Sequence, residues 1–520
     1  MTVRELCALL RTPARSKAVK AMASASGGTV CGVAGSSAAV MLGMLPAEAG
    51  RPVLVVGDSL DDAGYLYHDL CRVAEGGEAA VAMFPSGYKR DIKYGQADEA
   101  ARILRTEALN RIADTSGSLR YVVSYPEALA ERVASVEELS DNTLRLRKGG
   151  SHDPQEVVGW LRSKGFAETD YVFEPGQFAL RGSILDIFAY SSELPVRIDF
   201  FGDELDSVRT FNVETQLSET QLDDIAVTAQ SAGGRSGRLS LLDFMRTDTI
   251  VALRNESFTV ERLRAVAAEE MSGSTLMADE GDACALDNVI DPDAFAAVLA
   301  TRCRVAFTAA AAAETSAPSA AGRRRSSPML DFQCSPQGIY HKNFDLISES
   351  FTSLAADGYK IYILSDNDKQ FERLRVIFED RGDKIDFTAV DGTLHEGFVD
   401  HAMKICAFTD HQIFDRFHKY TLKSDRARSG RLALSLRELQ QIEVGDYIVH
   451  VDHGVGKFAG LMRTDVGGRM QEMIKLVYQN NDIIFVSIHA LHKLAKYRGK
   501  EGVPPKINRL GSGAWQKMKD

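Results

Sequence analysis

A multidomain α/β fold followed by a small β-barrel is predicted by three features of the chain. Its 520 residues exceed what one core holds, and about three to four domains is the expectation at this length. Short apolar runs alternate with segments of helical apolar spacing in the first part, the pattern of a parallel sheet with crossover helices. From Val444 the pattern changes to closely spaced short strands with glycine-rich or polar turns, which reads as a barrel.

The N-terminal MTVRELCALLRTPARSKAVK has no apolar signal core and reads as a short helix plus a basic linker. TVCGVAGSSAAVML, residues 29–42, reads as strand, glycine turn and helix. Residues 53–58, 80–84 and 121–125 are apolar strands, and ADEAARILRTEALNRIAD between the last two is helical by spacing. A second unit begins near Leu139. In DPQEVVGWLRSKGF, Asp153 and Pro154 stand as N-cap and first helical residue. FALRGSILDIFAY and LPVRIDFFGDELDSVRTFNV then predict an antiparallel sheet carrying one or two helices. LLDFMRTDTIVALRNESFTVERLRAVAAEE returns to helix, strand and helix. The alanine run and TSAPSAAGRRRSSP read as a linker. YKIYILSDNDKQFERLRVIFED opens another α/β unit, and LKSDRARSGRLALS is a second connector. The short strands DYIVHV, KFAGLM, QEMIKLVY and DIIFVS follow. GSGAWQKMKD reads as the start of a helix too short to stand alone, so the natural chain is expected to continue.

A hydrophobic share of 45% and a charged share of 26% are those of a soluble globular protein. No apolar run is long enough to span a bilayer. Cys7, Cys31, Cys71, Cys284, Cys303, Cys334 and Cys406 are scattered without a C-x-x-C pair. That favours reduced thiols in a cytoplasm over disulfides or zinc. The net charge of −11 and the absence of a basic run denser than residues 323–325 argue against tight autonomous DNA binding. His450 and His453 with His489 and His492 lack the companions of a metal site, and no metal is expected. Gly454-x-Gly456 is followed by no helix and reads as a turn.

The stretch at 29–42 carries the first functional signal. A P-loop, G-x-x-x-x-G-K-[ST], works because backbone N–H groups and a lysine neutralise phosphates while Ser/Thr holds magnesium. Gly32 takes the first glycine, but Ser37, Ala38 and Ala39 take the second glycine, the lysine and the hydroxyl. On the residues alone, a plain strand–turn–helix junction and a degenerate nucleotide loop both stand. ATP turnover is expected from neither.

GVAGSSAAV is similar to the P-loop of the excision-repair helicase UvrB, and FALRGSILDIF with LPVRIDFFGDELDSVRTF resembles UvrB's second domain. VGDYIVHVDHGVGKFAGL resembles the start of an RNA-polymerase-interacting domain shared with CarD-type regulators. LGSGAWQKMKD resembles a segment leading into a translocase motor. Together these resemble the N-terminal portion of the transcription-repair coupling factors (the Mfd family), with residues 214–430 matched loosely.

The resemblance implies the following layout: a degenerate UvrB/helicase-like domain 1a at 1–128, an α+β UvrA-binding domain 2 at 129–213, and a domain 1b remnant at 214–310. A linker at 311–328, a small α/β domain of unknown role at 329–421 and a linker at 422–440 follow. An SH3/Tudor-like barrel occupies 441–505, and 506–520 leads toward the motor. Arg254 and Asn255 stand where UvrB has its Asp-Glu pair. The short PSGYKRDIKYGQ, with Tyr88 and Tyr94, leaves little chain for a DNA-probing hairpin.

The implied partners are UvrA, through Arg181, Arg197 and Phe201, and the β subunit of RNA polymerase, through Leu461, Met462, Arg463 and Thr464 with Lys457 nearby. The family usually has an apolar residue near Thr464. DNA would be met mainly through the motor, which is also where ATP and magnesium belong; no cofactor is expected here. Read from residue types, Arg181 and Arg197 equally suit ion pairs to Asp186 or Asp199, with Phe201 in the core. An active UvrB-like repair helicase and a CarD-like regulator are the competing functions.

Overall fold

The computed structural model describes all residues except 88–98, 115–116, 191, 193, 214–215, 230–238, 278–288, 310–327, 417–443, 451–452, 467–468, 480–481, 488–493 and 497–520. Tyr88, Tyr94, Cys284, His489, His492, the 323–325 basic run and both polar connectors lie wholly or largely outside the described residues. The chain forms two compact units, Met1–Leu144 with Gln230–Thr421, and Arg145–Ala229 with Leu422–Asp520.

The first unit is organised by a seven-stranded parallel sheet. Its order is Met329–Asp331, Gly27–Cys31, Cys303–Phe307, Ile250–Leu253, Val53–Val56, Tyr121–Ser124 and Val81–Met83. The central strands VLVV, IVAL and YVVS are buried at every position, as strands covered on both faces must be. Residues on either side of the insert thus build one sheet. The small α/β domain was expected to begin at 329, but Met329–Asp331 pairs in parallel with Thr29–Cys31 at the edge of the large sheet.

The small domain has its own five-stranded mixed sheet, ordered Cys334–Pro336, Phe398–Asp400, Ile405–Thr409, Lys360–Ser365 and Thr388–Asp391. Helices Phe344–Ala356 and Asp368–Asp380 bury Ile347, Phe351, Phe371, Leu374 and Phe378 against it. Phe351 stacks on Phe408 with ring centroids 5.2 Å apart.

In the second unit, six strands are ordered Ser218–Leu222, Glu204–Phe211, Val196–Phe201, Ile184–Phe188, Gln177–Arg181 and Ala167–Glu168. All neighbours are antiparallel except the last pair. Helix Pro154–Ser163 starts as predicted, with the Asp153 carboxylate accepting from Gln155 N–H at 2.8 Å. The insert runs past the expected end at 213, because Ser218–Leu222 joins this sheet and Asp224–Thr228 pairs with Thr143–Arg147.

The C-terminal strands form a five-stranded antiparallel sheet ordered Ile483–Ser487, Arg469–Val477, Gly454–Val466, Tyr447–His450 and Leu494–Lys496. Ile448, Phe458, Ile474, Leu476, Tyr478, Val486 and Leu494 form its core. Gly456, expected in a turn, lies inside a strand. A Cβ there would sit 3.0 Å from the Tyr478 ring, so the glycine serves close packing. Among the described residues no helix is long and apolar enough to cross a membrane.

Candidate functional site

Strand Gly27–Cys31 leads through residues 32–36 into helix Ser37–Ala49, the strand–loop–helix order of a P-loop. Gly32 and Gly35 adopt φ of 64° and 52°, the left-handed region glycine favours. Ala38 and Ala39 are buried, so methyl groups face the interior at the two anchoring positions. Four N–H groups at the loop are committed inside the protein. Val33 donates to Thr308 O, Ala34 to Ser37 Oγ, Ser36 to Glu396 O and Ser37 to Ala34 O.

Arg254 ends the Ile250–Leu253 strand and pairs with Asp62 at 2.9 Å and Asp58 at 3.9 Å. Its guanidinium lies 5.1 Å from the Phe307 ring centroid. Burial, followed by the charge of Asp62, pushes the Asp58 carboxyl above its ordinary range, with Arg254 opposing. Asn255 accepts from Phe258 N–H at 3.1 Å and so caps the first turn of helix Glu256–Met277. An arginine tied to two carboxylates and an asparagine used as a cap supply neither a magnesium ligand nor a base.

Two of the described cysteines, Cys7 and Cys406, are held as unreactive thiols. Burial, with a contribution from Asp69, pushes Cys7 up to about 12, and burial does the same to Cys406. Among the described residues no group of three or more His, Cys, Asp or Glu is placed to hold a metal. His450 is buried with its ring 4.5 Å from that of His453.

On the insert, Arg181 and Phe201 each end a strand at a two-residue turn. Gly182 and Gly202 supply φ of 64° and 66° there. Val196, Ile198 and Phe200 point inward, while Arg197, Asp199 and Phe201 share the outer face. Phe201 is 83% exposed, against the core position its residue type allowed.

Both arginines converge on Asp186, whose side chain is fully buried. Arg197 forks onto it at 2.8 and 2.9 Å, and Arg181 reaches it at 2.5 Å. Arg181 also donates to Asp170 O and lies over Tyr171, while Arg197 donates to Gln216 O and lies over Phe211. Its hydrogen bond to Asp186 raises the Arg197 pKa above the ordinary value. The result is a rigid, partly exposed cationic patch beside Phe201, with exposed Tyr171 and Leu217 on the same insert.

In the C-terminal sheet, Gly454–Lys457 pairs on one side with Tyr447–His450. Along the other edge, the strand pairs with Arg469–Val477 to its end, Arg463 opposite Glu472 and Thr464 opposite Gln471. Gly460, at φ 101°, sits within a register shift between Phe458 and Leu461. Beyond that bulge, among the described residues, no strand pairs with the first edge. Leu461 and Met462 are exposed there at 47% and 40%. For Arg463 and Thr464 the backbone pairing alone is described. Lys457 lies in the doubly paired part, its Nζ 5.3 Å from the Tyr447 ring centroid. A bulged strand with one open edge can extend a partner's sheet.

Comparisons with known proteins fall on these two surfaces. Residues 144–232 match the UvrB interaction domain, and residues 442–498 match the CarD-like/TRCF RID domain. Over 94% of its length the chain aligns with transcription-repair-coupling factors. It is 22% identical to that of Bacillus subtilis (strain 168) over an alignment 580 positions long, gaps included, and 23% identical to that of Staphylococcus aureus (strain bovine RF122 / ET3-1) over one of 564. The chain matches the N-terminal portion of the transcription-repair-coupling factors. It spans about half the length of these relatives, 47% in each case.

The match to the UvrB interaction domain covers Arg181, Asp186, Arg197 and Phe201 together, and the RID match covers Lys457 and residues 461–464. Sequence reading named the arginines but left open which acid holds them. The setting of Asp186 in ILDIF, an acid among apolar residues, was the available signal, since a buried acid demands a cation. It missed Asp69, Ser36 and Glu396 altogether. Nothing local marks three residues that meet only through the fold.

Proposed function

We propose that this chain is the adaptor part of a transcription-repair coupling factor, with one surface for UvrA and another for the β subunit of RNA polymerase. The observation that carries this reading is the presence, in one chain, of the UvrB interaction domain and the CarD-like/TRCF RID domain. Phe201 with the arginine patch is the UvrA contact, since aromatics and arginines dominate interface energetics. The open edge at 461–464 adds to the polymerase subunit's sheet, and the C-terminal strands close as an SH3/Tudor-like barrel.

The full protein would be an ATP-driven DNA translocase that displaces stalled polymerase in the cytoplasm, with ATP, magnesium and most DNA contact belonging to its motor. Within this chain, Gly32, Ser37, Ala38, Ala39, Arg254 and Asn255 form a degenerate nucleotide site without catalysis. Support comes from the buried methyl groups of Ala38 and Ala39 and from the Arg254 ion pairs.

Two measurements test this. Incubation with ATP and magnesium is expected to give phosphate release at background; robust turnover would favour a UvrB-like helicase. Met462→Asp is expected to weaken capture of RNA polymerase about tenfold or more, because a charge enters a contact face. Unchanged capture would place the polymerase contact elsewhere on the chain.

A further inference from the structure

The degenerate loop is occupied. From the small domain, residues 395–397 lie directly against residues 35–36. Ser36 N–H donates to Glu396 O at 3.2 Å, and Ser36 Oγ accepts from Glu396 N–H at 2.9 Å. Ser36 Oγ in turn donates to Asp69 Oδ2 at 2.5 Å, while the other Asp69 oxygen accepts from His395 N–H at 2.7 Å. Ser36 and Asp69 are 4% and 3% exposed. The His395 ring stacks on Tyr65 with centroids 3.3 Å apart and an interplanar angle of 11°. The far side of the segment is held as well, since His411 Nε2 bonds His395 O and Gln412 Oε1 accepts from Gly397 N–H.

In a working P-loop such N–H groups turn toward phosphate oxygens. Here a peptide carbonyl takes the N–H of Ser36, and a buried carboxylate, Asp69, lies where an anionic ligand would be repelled. The fit depends on Gly35. A Cβ at that position would stand 2.7 Å from Gly397 O and 3.1 Å from Glu396 Cβ. Glycine is thus needed for close approach to a neighbouring backbone.

We infer that the former phosphate loop has become a docking socket whose built-in occupant is the 395–397 backbone, and that the small domain plugs it permanently. The small domain thereby gains a role as the seal and brace of the first unit. The inference rests on reading the loop as a degenerate nucleotide site.

Hydrogen exchange on the full chain tests the plug through two matched variants. Gly35→Ala and Gly50→Ala both place a side chain at positive φ, +52° and +66°, but nothing lies within 4 Å of a Cβ at Gly50. Backbone strain is therefore similar and the clash is confined to the socket. Exchange at the amides of Ser36, His395 and Glu396 should rise about tenfold or more in Gly35→Ala relative to Gly50→Ala. Asp69→Asn, which keeps the shape but replaces one of the two acceptor oxygens with an NH2 donor, should give a smaller rise at the same amides. Equal exchange in the two glycine variants would overturn the plug, as would unprotected amides at 36 and 395 in the wild type. Adding ATP with magnesium to the wild type separates the underlying reading: slowed exchange at residues 36–39 would sink the degenerate-site assignment, whereas the glycine comparison, made without nucleotide, judges the plug.

Discussion

Asp186→Ala is expected to destabilise the insert by about 3–5 kcal/mol, the usual result of removing one member of a buried ion pair. The carboxylate is fully buried and pairs with two guanidinium groups at once. Arg197, with 16% side-chain exposure, cannot turn to water without abandoning Gln216 O and the Phe211 ring. Arg181→Ala should cost less, because its side chain is 34% exposed and its carboxylate partner keeps Arg197. Phe201→Ala should leave stability within about 0.5 kcal/mol, since an exposed side chain has little native packing to lose. The three variants then separate scaffold from contact. Denaturant midpoints should fall in the order Asp186→Ala, Arg181→Ala, Phe201→Ala, whereas UvrA capture should be lost in Phe201→Ala even though its midpoint holds. A wild-type midpoint in Asp186→Ala would refute the view that the patch is braced from beneath.

This division explains what could be read in advance. Alternation in VRIDFF placed Arg197 and Phe201 on one face because side chains on a strand alternate strictly. The central strands at 53–56, 121–124 and 250–253 were legible for a similar reason, being short β-branched runs buried on both sides. Edge elements were not. Met329–Asp331 is three residues long and is a strand by virtue of its pairing with Thr29–Cys31, about 300 positions earlier. Ser218–Leu222, polar and mostly exposed, has no alternation of its own and owes its place to Glu204–Phe211. The occupant of the loop is the extreme case, with Ser36 and Glu396 separated by 360 positions. The glycine pattern at 32–35 was visible; what fills the space beside it was not, because no periodicity encodes a contact between two loops.

Arg15→Met is the second large effect expected. Arg15, in helix Pro13–Ser24, places Nη2 2.7 Å from Asp400 Oδ2, with side-chain exposures of 6% and 0%. That oxygen has no directed hydrogen bond, so the contact is Coulombic, and Asp400 Oδ1 is already taken by Met403 N–H. The guanidinium also donates to Leu10 O and Phe332 O and lies 4.1 Å from the Phe332 ring centroid. One side chain therefore ties the N-terminal helices to the small domain. Removing its charge leaves the Asp400 carboxylate buried without a counter-ion, at a cost of about 3–5 kcal/mol. Asp400→Leu combined with Arg15→Met should recover much of that loss, because apolar pairs of similar volume often replace buried ion pairs without penalty. Chemical denaturation of the two singles and the double measures the coupling directly. Additive losses would show that the two residues act independently and that the small domain is held by its loop contacts instead.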